Sequence, residues 1–122
     1  MTREFYGATM QAQHSINELL SLPASGREQD WEFELADPSR IEEMLGAMSS
    51  GARRYDEKCA LALLMIASAE EAVETGQVDP DLVERARVVF KQDADVREAM
   101  LFYWIENGRA SRGEFVRDIL NA

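Results

Sequence analysis

Cys59-Ala60-Leu61-Ala62-Leu63-Leu64-Met65-Ile66-Ala67-Ser68-Ala69 is the middle of a longer stretch, Ala52 to Thr75, whose reading decides the fold. A helix that is apolar on every side is one surrounded by other helices. Its ends are charged: Arg53, Arg54, Asp56, Glu57 and Lys58 come first, and Glu70, Glu71 and Glu74 come last. Gly76 follows, where a left-handed C-terminal cap is expected. The stretch therefore predicts the central helix, about 52–75, of an all-α fold. Its apolar run, Ala60 to Ala67, is far below the roughly 18 residues of a membrane span.

Outward on the C-terminal side, Asp79-Pro80 reads as a helix start, with Asp at the cap and Pro at the first position. Leu82, Val83, Ala86, Val89 and Phe90 give that helix an apolar face to about Lys91. Asp93-Ala94-Asp95 makes a turn, and Asp95 with Glu98 has capping-box spacing. The helix they open carries Phe102-Tyr103-Trp104 and stops at Asn107-Gly108. Ser111 and Glu114 give a second capping box, opening a last helix with Phe115, Val116, Ile119 and Leu120 on one side. Asp93 to Ala99 resembles the turn and second-helix start of a HEAT-type repeat. It has no second copy and reads as local helix-hairpin chemistry.

Outward on the N-terminal side, Asp37-Pro38 is another Asp-Pro start, followed by Ile41, Met44, Leu45 and Met48 at helical spacing. Before it, Trp31-Glu32-Phe33-Glu34-Leu35 alternates apolar and acidic residues with period two, a strand pattern with one buried face. A lone strand cannot satisfy its own backbone groups. The segment must lie extended on the helices, pair with its copy in a dimer, or pair with a partner. Pro23 to Asp30 reads as a loop centred on Ser25-Gly26. Arg3 to Leu20 reads as a first helix, with Thr2 able to cap it and Ser21-Leu22-Pro23 as its stop.

The expected architecture is a compact bundle or orthogonal array of five to six helices with short connections, plus one extended or strand-like segment at about 30–35. The 122 residues fit one domain spanning 1–122. A chain of this length buries roughly two-thirds of its unfolded surface and needs no metal or disulfide to fold. Cys59 is the single cysteine, so no intrachain disulfide forms and a reducing compartment is the simplest home. Met1 to Met10 lacks the apolar core of a signal peptide, which together with Cys59 points to a cytoplasmic location.

The net charge is -10, from 23 acidic and 13 basic residues. That argues against nucleic acid as a partner, which needs a basic footprint, and against an anionic membrane surface. Arg109, Arg112 and Arg117 around the last helix are too few to reverse this. A basic protein partner fits the charge, as does a bare requirement for solubility.

Catalytic and metal chemistry find little footing. One histidine and one cysteine do not make a zinc site of the usual kind. His14 has Gln11, not Glu, three residues before it, so the Glu-x-x-His pairing of di-iron bundles is missing. Cys59 on an apolar helix behaves as a small hydrophobe. No nucleophile elbow, phosphate loop or dinucleotide fingerprint is present. No catalytic residue, metal or cofactor is expected.

The acidic pairs Glu42-Glu43, Glu70-Glu71 and Asp93 with Asp95 are commonly solvated faces. Two acidic runs stand out. One is Glu28, Asp30, Glu32, Glu34, Asp37, Glu42 and Glu43; the other is Glu70, Glu71, Glu74, Asp79, Asp81 and Glu84. Beside the aromatics of 31 and 33, the first run nominates Asp30, Trp31, Glu32, Phe33, Glu34, Asp37, Glu42 and Glu43 as a partner-binding set. The plainer alternative is that Trp31, Phe33 and Leu35 pin a loop to the core. The functional expectation is a non-enzymatic acidic protein–protein interaction module, in its sharpest form an inhibitor or immunity-type protein masking a basic enzyme. Two alternatives stand beside it. One is a homo-oligomeric, possible homodimeric, structural or regulatory protein. The other is a small enzyme or ligand-binding bundle with a pocket between helices, where His14, Cys59, Tyr103 and Glu106 are the first residues to test.

Overall fold

The computed structural model describes residues 9–50, 53–77 and 79–120. Among the described residues seven α-helices follow one another: α1 (Met10–Leu19), α2 (Trp31–Glu34), α3 (Ile41–Met48), α4 (Tyr55–Glu74), α5 (Pro80–Lys91), α6 (Ala94–Met100) and α7 (Gly113–Leu120). A 3-10 turn over Pro38–Arg40 leads into α3, and a π-helical turn over Leu101–Glu106 continues α6. The described residues contain no strand.

The middle of α4 is buried without interruption from Cys59 to Glu70. Around it pack α1, α2, α3, α6 and α7, while α5 closes the outside against α3, α6 and α7. Each fully buried Leu, Ile, Met or Phe contributes roughly 1.5–3 kcal/mol by leaving water, so this column is the main source of stability. Ser68, the one hydroxyl in it, is satisfied on both sides. It donates to Leu64 O at 2.8 Å and accepts from the Asp37 backbone N–H at 2.9 Å. That second bond fastens the start of the 3-10 turn to the central helix.

Gly76 ends α4 in the left-handed region at φ 72°. Gly76 N–H donates to Val73 O at 3.2 Å and Gln77 N–H to Ala72 O at 2.7 Å, the paired bonds of a Schellman cap. Both Asp-Pro starts behave as read. Asp37 Oδ1 accepts from Ser39 N–H and Asp79 Oδ1 from Asp81 N–H, each at 3.0 Å. The apolar faces of α3, α5 and α7 point inward through Ile41, Met44, Leu45, Met48, Leu82, Ala86, Phe90, Val116, Ile119 and Leu120.

Four expectations are corrected. The segment 30–35 is not extended. Trp31 to Glu34 makes one helical turn closed by Leu35 N–H on Trp31 O at 3.0 Å, which satisfies the backbone locally and raises the helix count among the described residues to seven. A strand paired with its copy therefore has no strand to build on. The first helix begins at Met10, because Thr9 Oγ1 accepts from Ala12 N–H at 3.0 Å; Thr2 and Arg3 lie outside the described residues. The cap of α6 is Asp93 rather than Asp95: Asp93 Oδ1 accepts from Val96 N–H at 3.4 Å while its other oxygen pairs with Lys58 Nζ at 3.0 Å. At the start of α7, the Arg112 N–H goes to Glu70 of α4 at 2.7 Å, a cap supplied from across the fold. The Ala52 end of the central stretch lies outside the described residues, and Arg53 and Arg54 precede the helix.

Candidate functional site

Two anchors one turn apart hold α2. Trp31 is 2% exposed and its Nε1–H donates to Asn17 Oδ1 of α1 at 2.8 Å; Leu35 is buried in the core, and α2 packs against α4. With both fixed, the next residue along the turn, Glu32, faces the interior at 4% exposure, and Phe33 faces outward at 38%. The Glu32 carboxylate accepts a hydrogen bond from the Tyr103 hydroxyl.

Tyr103 reaches that position on the π-helical turn. Asn107 N–H donates to Phe102 O at 2.9 Å, five residues back, where an α-helix would bond four back. Gly108 then takes φ 66°, and Ala110 N–H donates to Trp104 O at 3.0 Å. Turns of this type are frequent where a helix presents functional side chains. Here the turn sends Trp104 into the core and brings Arg109 back over the surface. The Arg109 guanidinium lies 5.3 Å from the Tyr103 ring centre and 5.9 Å from that of Phe33. Its Nη2 is 3.3 Å from Asp30 Oδ1. Phe33 meets Trp104 edge to face at 5.5 Å, and Tyr103 meets Trp104 likewise at 5.1 Å.

These elements border an open polar cleft of about 440 Å³, lined by Gln13, Gln29, Asp30, Glu32, Tyr103, Asn107 and Arg109. A shallower hollow among Arg27, Gln29, Asp30, Phe33 and Glu34 continues from it. Two carboxylates against one guanidinium leave the cleft with one net negative charge. Among the described residues no ion pair reaches Glu32, and its described partner is the neutral phenol.

Of the eight nominated residues, the cleft and hollow gather Asp30, Glu32, Phe33 and Glu34. Trp31 is buried at 2% exposure and anchors α2 in the core. Glu32 is buried in the cleft wall rather than exposed. Asp37 caps the 3-10 turn. Glu42 and Glu43 lie away from the cleft and are held by arginines. Arg85 Nη1 donates to Glu42 at 2.6 Å and Arg40 Nη2 to Glu43 at 2.8 Å, and these bonds pull both carboxyls below the usual carboxylate range. Arg85 also pairs with Asp81 at 3.2 Å, so the two acidic runs meet across α3 and α5 with a cation between them. Sequence reading missed Gln13, Gln29, Asn107 and Arg109, which carry no local pattern and converge only through the fold.

The residues nominated for a pocket enzyme do not assemble. His14 and Glu106 are exposed, Tyr103 lines the cleft, and Cys59 is buried on α4, where burial pushes its thiol up to about 11. Among the described residues no group of three or more His, Cys, Asp or Glu is placed to hold a metal ion. Among those residues, too, no helix is long and apolar enough to cross a membrane.

No family model, curated protein or solved structure matches this chain.

Proposed function

We propose that this chain is a non-enzymatic acidic interaction module that docks a basic protein on the α2 edge, as an inhibitor or immunity-type protein masking that partner would. The observation that carries the reading is the placement of Phe33. It is a half-open aromatic, supported from behind by Trp104 and flanked by the exposed carboxylates of Asp30 and Glu34, at the mouth of a cleft walled by Glu32. Aromatic anchors rimmed by charge are the usual energetic centre of a protein interface. The net charge of -10 adds long-range attraction for a basic surface. The docking set narrows to Asp30, Glu32, Phe33 and Glu34, with Trp31 serving as the anchor that presents them.

The test compares the immobilised chain with a double variant, Asp30→Lys with Glu34→Lys, in capture from native lysate read by mass spectrometry. Both side chains are exposed, but the variant gives up the Asp30 pair with Arg109 and the Glu34 bond to the Asp30 N–H, so its far-UV circular dichroism is matched to the wild type before capture is compared. Capture of a defined basic protein, weakened by added salt and lost in the variant, is the expected result. A captured set that is not basic, or that the variant retains in full, overturns the reading.

A further inference from the structure

We propose that the polar cleft is a receptor for one guanidinium group, that of an arginine side chain on the basic partner; this rests on the interaction-module reading and names the chemistry recognised at its centre. Three observations converge on it.

The first is charge balance. Glu32 is a carboxylate with 4% of its surface exposed, and the described group that meets it is a neutral hydroxyl. Burying a carboxylate is costly unless a cation compensates it. Arg109 does not do so, because it pairs outward with Asp30 and rests on the rings of Phe33 and Tyr103. One further cation neutralises the cleft, whereas an anion adds to a net negative lining on a chain of charge -10.

The second is the surface itself. Arg109 already shows that a carboxylate beside aromatic ring faces holds a guanidinium here. An incoming arginine meets Glu32 in place of Asp30, with Tyr103 in the same cleft wall.

The third is donor count and room. A guanidinium has five N–H donors in a planar fork. A carboxylate takes two, and Gln13, Gln29 and Asn107, residues whose side-chain amides each carry an acceptor oxygen, line the same cleft. An ammonium offers three donors on a point and uses fewer of these acceptors. A volume of about 440 Å³ lies within the range of ligand sites, roughly 300–1,000 Å³, and accommodates one such group with its stem.

The experiment is a titration of the uniformly ¹⁵N-labelled full chain, at constant ionic strength, with three small probes: Nα-acetyl-arginine methylamide, its lysine counterpart and its aspartate counterpart. The arginine probe is expected to give saturable shifts at the backbone amides of Gln29, Glu32, Tyr103 and Asn107. The lysine probe should bind more weakly and the aspartate probe should leave these amides unmoved. Glu32→Gln keeps an acceptor for the Tyr103 hydroxyl while removing the charge, and is expected to weaken the arginine probe about tenfold, the worth of one charge-assisted hydrogen bond. If Glu32→Gln fails to fold, Asp30→Asn on an exposed side chain carries the same direction of effect. No saturable shift with the arginine probe, equal binding of lysine or aspartate, or undiminished binding by the variants overturns the inference. Failure here with salt-sensitive capture of a basic protein intact removes the arginine receptor and leaves the docking edge; probe binding without any basic protein captured removes the module reading instead.

Discussion

The backbone N–H of Arg112 donates to the Glu70 carboxylate at 2.7 Å, so the first turn of α7 is capped by a side chain 42 residues earlier on α4. The first N–H groups of a helix have no partner within it, and a carboxylate there also meets the positive end of the helix dipole. Glu70 is 3% exposed, and its other oxygen is buried with no hydrogen-bond partner among the described residues. Burial drives its pKa up and the neighbouring Glu74 adds to this, against the lowering effect of the backbone N–H groups of Arg112 and Ser111.

Removing this cap by Glu70→Ala should cost about 0.5–2 kcal/mol, the worth of a lost helix cap. A shift in the urea midpoint at unchanged slope checks it. Glu70→Gln keeps an acceptor and should cost less.

The same residue carries a pH signature. A folded-state pKa above the unfolded value means the native state holds the proton more tightly. The resulting stability is present below the ordinary glutamate value of 4.5 and is lost as pH rises through the raised folded value. Relative to the wild type, Glu70→Gln should therefore gain stability as pH rises from about 4 toward neutrality. A flat difference between the two denaturation curves across that interval would remove the titration of Glu70 as the cause.

Gly76 gives a cleaner backbone prediction. At φ 72° it is left-handed, and a Cβ placed there meets nothing within 4 Å. The penalty for Gly76→Ala is then conformational alone, about 1–2 kcal/mol. Gly76→Asn should cost less, because asparagine visits this region more readily. Thermal denaturation of the two variants, ranked against wild type, checks the order.

Gly76 was legible in the sequence for the same reason that its substitution is predictable: its role is local. The central helix, both Asp-Pro starts and the Asn107-Gly108 stop are also set by residues within one turn of one another. What the sequence hid was set across the fold. Trp31-Glu32-Phe33-Glu34-Leu35 reads as period two, yet its buried members are Trp31, Glu32 and Leu35, a helical set. Over five residues, apolar positions at i and i+4 satisfy both periods, and only Asn17 and α4 decide between them. Glu70 falls in an acidic run, and nothing nearby in sequence marks it as a cap. The cleft was half legible: its carboxylates and Phe33 were singled out by charge and aromaticity. Its amides and Arg109 come from α1, the 23–30 loop and the segment after the π-helical turn, which meet only in three dimensions.

Cys59 should be inert in the folded chain. It is fully buried, and its thiol is pushed from 9.0 to about 11. Thiolate is the reactive form, so on the order of one thiol in 10⁴ is ionised at neutral pH even before access is considered. Iodoacetamide followed by intact mass should show no adduct on the native chain and one adduct in denaturant. Because the folded state favours the thiol, its contribution to stability is complete below pH 9 and is lost as pH rises from there toward about 11. Rapid native alkylation near neutral pH would contradict the placement of Cys59 on the buried face of α4.

Trp31 and Phe33, two positions apart, should respond oppositely to truncation. Trp31 is enclosed, and Trp31→Ala is expected to cost about 3–5 kcal/mol through lost burial and a cavity. Asn17→Ala leaves the indole N–H without its 2.8 Å partner and should cost about 1–3 kcal/mol. Phe33, 38% exposed, gives up its edge contact with Trp104, the Arg109 guanidinium over its ring and its partial burial, and Phe33→Ala should cost about 1–2 kcal/mol. Urea denaturation followed by far-UV circular dichroism ranks the three. If Phe33→Ala proves as damaging as Trp31→Ala, the phenyl ring is a core element and its value as a docking anchor falls. If instead it leaves stability nearly intact while abolishing capture of a basic protein, the two aromatics divide the work as the structure places them: Trp31 holds α2 in position, and Phe33 is what α2 presents.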